Sequence, residues 1–225
     1  AKSRLNIIIL RNMEKPIAKK SPRELINHGE IRVDNYYWLN ERENPEVIEY
    51  LEKENLYQET MMKDTEELQN KIYDEIVGRI KQDDVSYPIK RNGYYYYSRY
   101  EEGQEYPVYC RRKDNMDKPE QILLDGNEMA KGHHYFDIGA YSVSPDNELL
   151  AYSIDTVSRR QYDIFVKEIE TGKIFPEVIK NTTGNMVWAN DNETLFYSVK
   201  DESLRSCKIM RHKLNDDPAN DELVY

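Results

Sequence analysis

The sequence has few of the residues that build disulfide-rich or metal-stabilised proteins. Its 225 residues include two cysteines, Cys110 and Cys207, and no Cys-x-x-Cys pair. Two cysteines are too few for a disulfide framework, and their spacing does not match a zinc site. We therefore expect two buried, unpaired thiols in a reducing compartment.

Long apolar runs and clusters of positive charge are also missing. The N-terminal apolar run from Leu5 to Leu10 is far shorter than the roughly 20 residues that span a bilayer. Asp and Glu outnumber Lys and Arg by 42 to 32, giving a net charge of −10. Phosphate neutralisation needs clustered basic residues, so nucleic-acid binding is excluded as a function class. We predict no membrane partner and a cytoplasmic location, with the periplasm as the alternative.

The sequence contains no recognisable nucleophile or metal motif. None of its nine glycines frames a serine as Gly-x-Ser-x-Gly, the turn that presents the nucleophile in α/β-hydrolases. His133 and His134 are adjacent, with Asp137 nearby, but neighbouring strand residues point to opposite faces and cannot easily share an ion. We read His212 as a strand residue with a satisfied hydrogen bond. We expect no catalytic residue, cofactor or metal in this chain.

Two helices are predicted near the N-terminus. Asn44 followed by proline is a typical helix start, and the apolar pattern carries this helix to about Met62. A second start is predicted at Asp64, with Glu67 as its capping-box partner. The second helix has an apolar stripe formed by Leu68, Ile72, Ile76 and Ile80.

After Asp84 the helical period disappears and short strands are predicted. The residues are rich in tyrosine, of which the chain has 19 against 4 phenylalanines, and this favours half-buried sheet surfaces. Turn sequences separate the strands. They include Arg91-Asn92-Gly93, Glu101-Glu102-Gly103, Ser144-Pro145-Asp146-Asn147, Glu170-Thr171-Gly172 and Asn190-Asp191-Asn192.

The strand region repeats with a constant offset of 45 residues, inside the roughly 40–50 residues of a propeller blade. The matched pairs include Asp146 with Asp191, Asn147 with Asn192, Leu150 with Leu195, Tyr152 with Tyr197, Ser153 with Ser198, and Ile164 with Ile209. We predict four-stranded blades at about 86–125, 135–180 and 186–225. Closed propellers usually have four to eight blades, so about three blades form an incomplete propeller. The predicted class is an α+β fragment, a two-helix arm followed by an incomplete β-propeller.

Arg159 and Arg160 form a doublet in the loop between the second and third strands of the second predicted blade. Their planar guanidinium groups suit bidentate pairs with carboxylates of another domain. The alternative is a solvated turn.

Several strings resemble the oligopeptidase B (protease II) group of the prolyl oligopeptidase family of serine peptidases. The most specific runs from His28 to Leu39, HGEIRVDNYYWL. The others are Pro16-Ile-Ala-Lys-Lys20, Asn44-Pro-Glu-Val47, Ser142-Val-Ser-Pro-Asp-Asn147, Ser158-Arg-Arg-Gln-Tyr162, Glu170-Thr-Gly172 and Trp188-Ala-Asn-Asp191. Where the family often has a glycine, this chain has Asn215, which tolerates the left-handed conformation of such a turn.

The resemblance implies a seven-bladed propeller that covers an α/β-hydrolase domain and gates access by size. It implies cleavage of short peptides after Arg or Lys by a Ser-Asp-His triad in the C-terminal half, so we expect this chain to be inactive alone. Residues 1–12 are interpreted as an extension, 13–82 as an arm that packs on the catalytic domain, and 83–225 as partial propeller. Arg159 or Arg160 is predicted to form interdomain ion pairs, with Glu75 as a partner.

Two alternatives stay open. The chain is a stand-alone propeller-type binding module, or it is an accessory protein that dimerises to complete a propeller.

Overall fold

The computed structural model describes residues 14–225, and the chain divides after Ile80 into two compact units. The expectations for residues 1–12 lie outside the described residues. The first unit contains a β-hairpin and two helices, and the second consists mainly of antiparallel strands.

The first unit begins with a hairpin that the sequence did not predict, formed by β1 (Arg23–Asn27) and β2 (Glu30–Asp34). It continues into helix α1 (Pro45–Met62), whose predicted start is confirmed. The Asn44 side-chain oxygen accepts a hydrogen bond from the backbone N–H of Glu46 at 3.0 Å, satisfying a donor that the helix leaves unpaired.

Helix α2 (Glu66–Val77) starts and ends differently from its prediction. The capping box at Asp64 is wrong, because Asp64 lies in a 3-10 turn and the residue before the helix, Thr65, makes no side-chain cap. Residues 62–66 all have right-handed helical dihedral angles, so the chain runs from α1 to α2 without the extended residue that a capping box needs. Ile80 lies beyond the end of the helix.

The second unit has a four-stranded sheet and a seven-stranded sheet, in which each strand pairs with its neighbour in sequence. The four-stranded sheet consists of β3 (Ile89–Arg91), β4 (Tyr94–Arg99), β5 (Val108–Lys113) and β6 (Gln121–Asp125). The seven-stranded sheet consists of β7 (Asp137–Val143), β8 (Leu149–Asp155), β9 (Tyr162–Glu168), β10 (Ile179–Trp188), β11 (Thr194–Lys200), β12 (Ser206–Lys213) and β13 (Glu222–Leu223). Two short helical turns, α3 (Gly126–Met129) and a 3-10 turn (Pro218–Asn220), interrupt the region expected to be free of helix. The carboxylates of Asp125 and Asp217 cap them.

Strand β10 is shared between the second and third predicted blades, where the sequence suggested a break between residues 180 and 186. Its first half pairs with β9, and its second half pairs with β11. The register shifts between Thr182 and Met186, and Gly184 lies within the shift at φ +93°. That conformation is open to glycine, so the chain changes partner without leaving the sheet.

The 45-residue repeat is visible in the strand pairing, because the β8–β9 hairpin and the β11–β12 hairpin pair residues at matching positions. Ser153 pairs with Ile164, and Ser198 pairs with Ile209 at the matching place in the next hairpin. Asn147 and Asn192 both have positive φ, at 68° and 61°, in the turns before β8 and β11. The core is built from the same pattern, since Leu150 and Leu195 are both fully buried.

Candidate functional site

The Arg159–Arg160 loop lies between β8 and β9, in the predicted position. Asp155, at the end of β8, organises it. The Asp155 carboxylate accepts backbone hydrogen bonds from Val157 at 2.8 Å, Arg159 at 3.0 Å and Arg160 at 2.7 Å. Arg160 has φ 52°, and its carbonyl accepts a hydrogen bond from the Lys200 ammonium group. The loop backbone is therefore fixed from within, while both arginine side chains remain exposed.

Neither guanidinium group forms an ion pair inside the second unit. Glu75 lies on α2 in the first unit, where its carboxylate pairs with Arg79 one turn later. That pair is solvent-exposed and adds little to stability. The interdomain role of Arg159, Arg160 and Glu75 stays a prediction.

A second polar group, which the sequence did not reveal, surrounds Glu120 beside β4 and β5. Tyr97 donates a hydrogen bond to Glu120 at 2.5 Å, Arg99 binds the same carboxylate at 3.0 Å, and Arg112 donates to the Tyr97 hydroxyl at 2.8 Å. Burial alone would raise the pKa of Glu120, but the bonds from Arg99 and Tyr97 outweigh it and lower that pKa. Glu120 therefore stays ionised and ties the loop before β6 to the sheet.

Asp221 plays the equivalent part beside β11 and β12. Its carboxylate lies 2.7 Å from Nδ1 of His212 and accepts a hydrogen bond from Tyr197 at 2.6 Å. Burial is the main cause that raises the pKa of Tyr197, and the hydrogen bond to Asp221 raises it further. His212 is a fully buried residue of β12 with a hydrogen bond at Nδ1, as expected, but its Nε2 has no partner within residues 14–225.

The two groups are versions of one repeated arrangement. A basic residue follows a buried tyrosine by 15 positions in Tyr97 and Arg112, in Tyr152 and Lys167, and in Tyr197 and His212. In the middle copy the Lys167 ammonium lies 6.0 Å from the centre of the Tyr152 ring. The constant spacing was the signal in the sequence that would have located these groups.

Of the cysteines and histidines that the sequence singled out, His212 belongs to the Asp221 group, and Cys110 lies opposite Tyr97 of the Glu120 group on the neighbouring strand. Cys110 is buried as expected, and burial raises the pKa of its thiol to about 12, but Cys207 is exposed, so the prediction of two buried thiols is wrong for Cys207. His133 stacks against Phe136 in the loop before β7. Within the described chain, no three side chains of His, Cys, Asp or Glu lie close enough to hold a metal ion. No helix within residues 14–225 is both long and apolar enough to span a bilayer.

Comparison with known proteins gives a consistent result. Residues 15–225 match the family model described as prolyl oligopeptidase, N-terminal beta-propeller domain. Dipeptidyl aminopeptidase BI from Pseudoxanthomonas mexicana is 42% identical over 94% of this chain and 31% of that protein. Protease 2 from Moraxella lacunata is 34% identical over 95% of this chain and 32% of that protein.

Solved structures agree. Oligopeptidase B from Leishmania major superposes with a TM-score of 0.87 at 31% identity, over 94% of this chain and 32% of that one. The chain thus spans about a third of the length of the relatives it matches.

Proposed function

Because this chain belongs to the prolyl oligopeptidase family, whose N-terminal β-propeller domain it matches, we propose that it is the propeller part of a serine peptidase that cleaves short peptides after Arg or Lys. The observation that carries the proposal is the likeness to oligopeptidase B over 94% of the chain, together with the strings from His28 to Leu39 and from Ser158 to Tyr162. The resemblance inferred from the residues is confirmed at the level of the family.

The propeller contributes gating rather than chemistry in this proposal. The strands supply about three of seven blades, and the closed propeller covers a C-terminal α/β-hydrolase domain that holds the Ser-Asp-His triad. Domain closure then admits only peptides that fit the enclosed space. The 225-residue chain is inactive alone, because the nucleophile belongs to the catalytic domain. A reducing, cytoplasmic location is part of the same proposal.

In this proposal, Arg159 and Arg160 lie at the propeller edge that faces the catalytic domain. The Asp155 carboxylate fixes their backbone and leaves both guanidinium groups exposed, as an interdomain contact requires. A carboxylate such as Glu75 on α2 is the proposed partner.

A second candidate is release of dipeptides from the N-terminus of a peptide. It is favoured by the 42% identity to dipeptidyl aminopeptidase BI, which exceeds the 34% identity to Protease 2. The two activities differ in whether the substrate needs a free N-terminal amine. A peptide with Arg before the chromogenic group, in blocked and free forms, separates them when the complete protein is assayed. Efficient cleavage of the blocked form supports an endopeptidase, and cleavage of the free form alone supports dipeptide release.

The stand-alone binding module is the third candidate. The gene sequence downstream of the Tyr225 codon separates it from the first two. An in-frame continuation that encodes further blades and a Gly-x-Ser-x-Gly elbow supports the peptidase, and a stop codon directly after Tyr225 supports the binding module.

A further inference from the structure

A cavity of about 350 Å³ lies within the second unit, between the strands β3–β5 and the end of β7. Its volume falls at the lower end of the roughly 300–1,000 Å³ typical of small-ligand sites. Five tyrosines line it, among them Tyr96, Tyr109 and Tyr141. The Tyr109 and Tyr141 rings pack against each other with centroids 5.1 Å apart. The cavity therefore offers aromatic faces on which an apolar side chain can pack.

Arg91 is the one charged side chain among the described residues that line this cavity. Its guanidinium forms no ion pair within residues 14–225. The other three arginines of the same sheet have side-chain partners: Arg99 binds Glu120, Arg112 binds Tyr97, and Arg111 binds Gln121 at 2.7 Å. Among their nitrogen atoms, only Nη1 of Arg111 is buried without a partner in the described part of the chain. An unpaired cation in a chain of net charge −10 is complementary to an anionic ligand group.

The hydroxyl groups of Tyr109 and Tyr141 supply further donors. Neither makes a hydrogen bond to another side chain in the described part of the chain. Burial raises the pKa of both phenols, and both side chains line the same cavity as Arg91. Both phenols therefore stay protonated at neutral pH, and each keeps an O–H to donate.

We propose that this cavity binds the C-terminal residue of a peptide, with Arg91 holding the α-carboxylate and the tyrosine rings packing against an apolar or aromatic side chain. One residue of this kind combines the single negative charge and the apolar surface that the cavity complements. The site involves no catalytic group, so it stands or falls independently of the peptidase activity proposed above.

The test is a fluorescence polarisation titration of the 225-residue chain with dansyl-Gly-Gly-Phe. The free acid is expected to bind at least tenfold more tightly than the C-terminal amide, because a charge-assisted hydrogen bond is lost in the amide. Arg91→Gln is expected to remove that preference. Lys90→Gln is the matched control: it makes the same charge change on the same strand, at a residue that points to the opposite face and lies over Tyr95. It is expected to change affinity less than twofold.

Tyr141→Phe keeps the ring and removes the hydroxyl, and it is expected to weaken binding of the acid about three- to tenfold. Circular dichroism melts establish that each variant is folded, and where the short chain does not fold, the titration uses the complete protein with hydrolysis blocked by a serine-directed inhibitor. Equal affinity for acid and amide, equal losses in Arg91→Gln and Lys90→Gln, or no binding at millimolar peptide would overturn the proposal. Binding of 3-phenylpropanoate as tight as that of the peptide would overturn the assignment to a peptide end.

Discussion

His212 and Asp221 form a fully buried pair, with Nδ1 and the carboxylate oxygen 2.7 Å apart and side-chain exposures of 0% and 3%. The same carboxylate binds Tyr197, so one loop residue satisfies two buried groups of neighbouring strands. Removing one partner of a buried polar group leaves the others desolvated and unpaired.

Asp221→Ala is therefore expected to destabilise the chain by about 2–4 kcal/mol, because the His212 ring and the Tyr197 hydroxyl both lose their partner. Urea unfolding followed by circular dichroism measures the change in the free energy of unfolding. Asp216→Ala, at an exposed position before the same loop, is the control and is expected to stay within about 0.5 kcal/mol. An equally small change for Asp221→Ala would show that the buried pair contributes nothing.

Gly184 and Gly139 both pack against the ring of Tyr162, which binds Asp137 at 2.7 Å. A Cβ at Gly184 would lie 2.8 Å from the Tyr162 ring, and one at Gly139 would lie 2.5 Å from it. We expect Gly184→Ala to cost about 2–4 kcal/mol, from overpacking together with positive φ. Gly172 also has positive φ, but the space around it is open. We therefore expect Gly172→Ala to lower the free energy of unfolding by only about 1 kcal/mol, measured in the same thermal or urea unfolding experiment. Equal costs at the two positions would contradict the packing argument.

Stability is expected to fall at alkaline pH. Burial raises the pKa of the Cys110 thiol to about 12 and also raises the pKa values of Tyr109, Tyr141 and Tyr152. From about pH 9 upward the unfolded chain releases these protons first, so the folded state binds more protons and the free energy of unfolding decreases. The thiol alone contributes about 2 kcal/mol of this loss by pH 10.5.

Melting temperatures between pH 7 and 10.5 measure this effect. The Cys110→Ala variant, compared with itself at pH 7, is expected to show a smaller decline than the unmodified chain. A melting temperature that stays constant to pH 10.5 would contradict the assignment of raised pKa values.

The Arg160 side chain is expected to affect the activity of the complete protein through an ion pair with another domain. In the complete protein, Arg160→Glu should lower activity about two- to fivefold and reduce its dependence on salt, since an exposed ion pair contributes no more than about 1 kcal/mol. Arg205→Glu, the 45-residue equivalent, is the control and should have little effect. Restoration of activity by combining Arg160→Glu with Glu75→Arg would identify the partner. Unchanged activity and salt dependence in Arg160→Glu would refute the interdomain contact.

Local signals in the sequence predicted the parts of the fold that local chemistry determines. Asn44 identified the start of α1. Asn147 and Asn192, which occupy matching positions of the 45-residue repeat, located two turns that need positive φ. Asn215, at φ 68°, adopts the left-handed conformation expected of it. These features depend on a few adjacent residues, so a single sequence reveals them.

Other features depend on distant residues and were missed. The start of α2 was misplaced because helical dihedral angles continue from α1, which no capping pattern reveals. The Glu120 and Asp221 groups were not predicted, since each loop carboxylate lies more than 20 residues from its tyrosine. The Arg159–Arg160 loop was placed correctly, but the part that Asp155 plays required the backbone geometry of residues 155–160.

The most direct test of the proposed function compares kcat/KM of the complete protein on two blocked chromogenic peptides that differ only in Arg or its neutral isostere citrulline before the reporter group. We expect the Arg peptide to be favoured by about 100-fold, because a pocket built for the cation leaves its carboxylates unpaired with citrulline. We also expect no turnover by the 225-residue chain alone. Equal rates on the two peptides, or turnover by the short chain that a serine-directed inhibitor abolishes, would contradict the account.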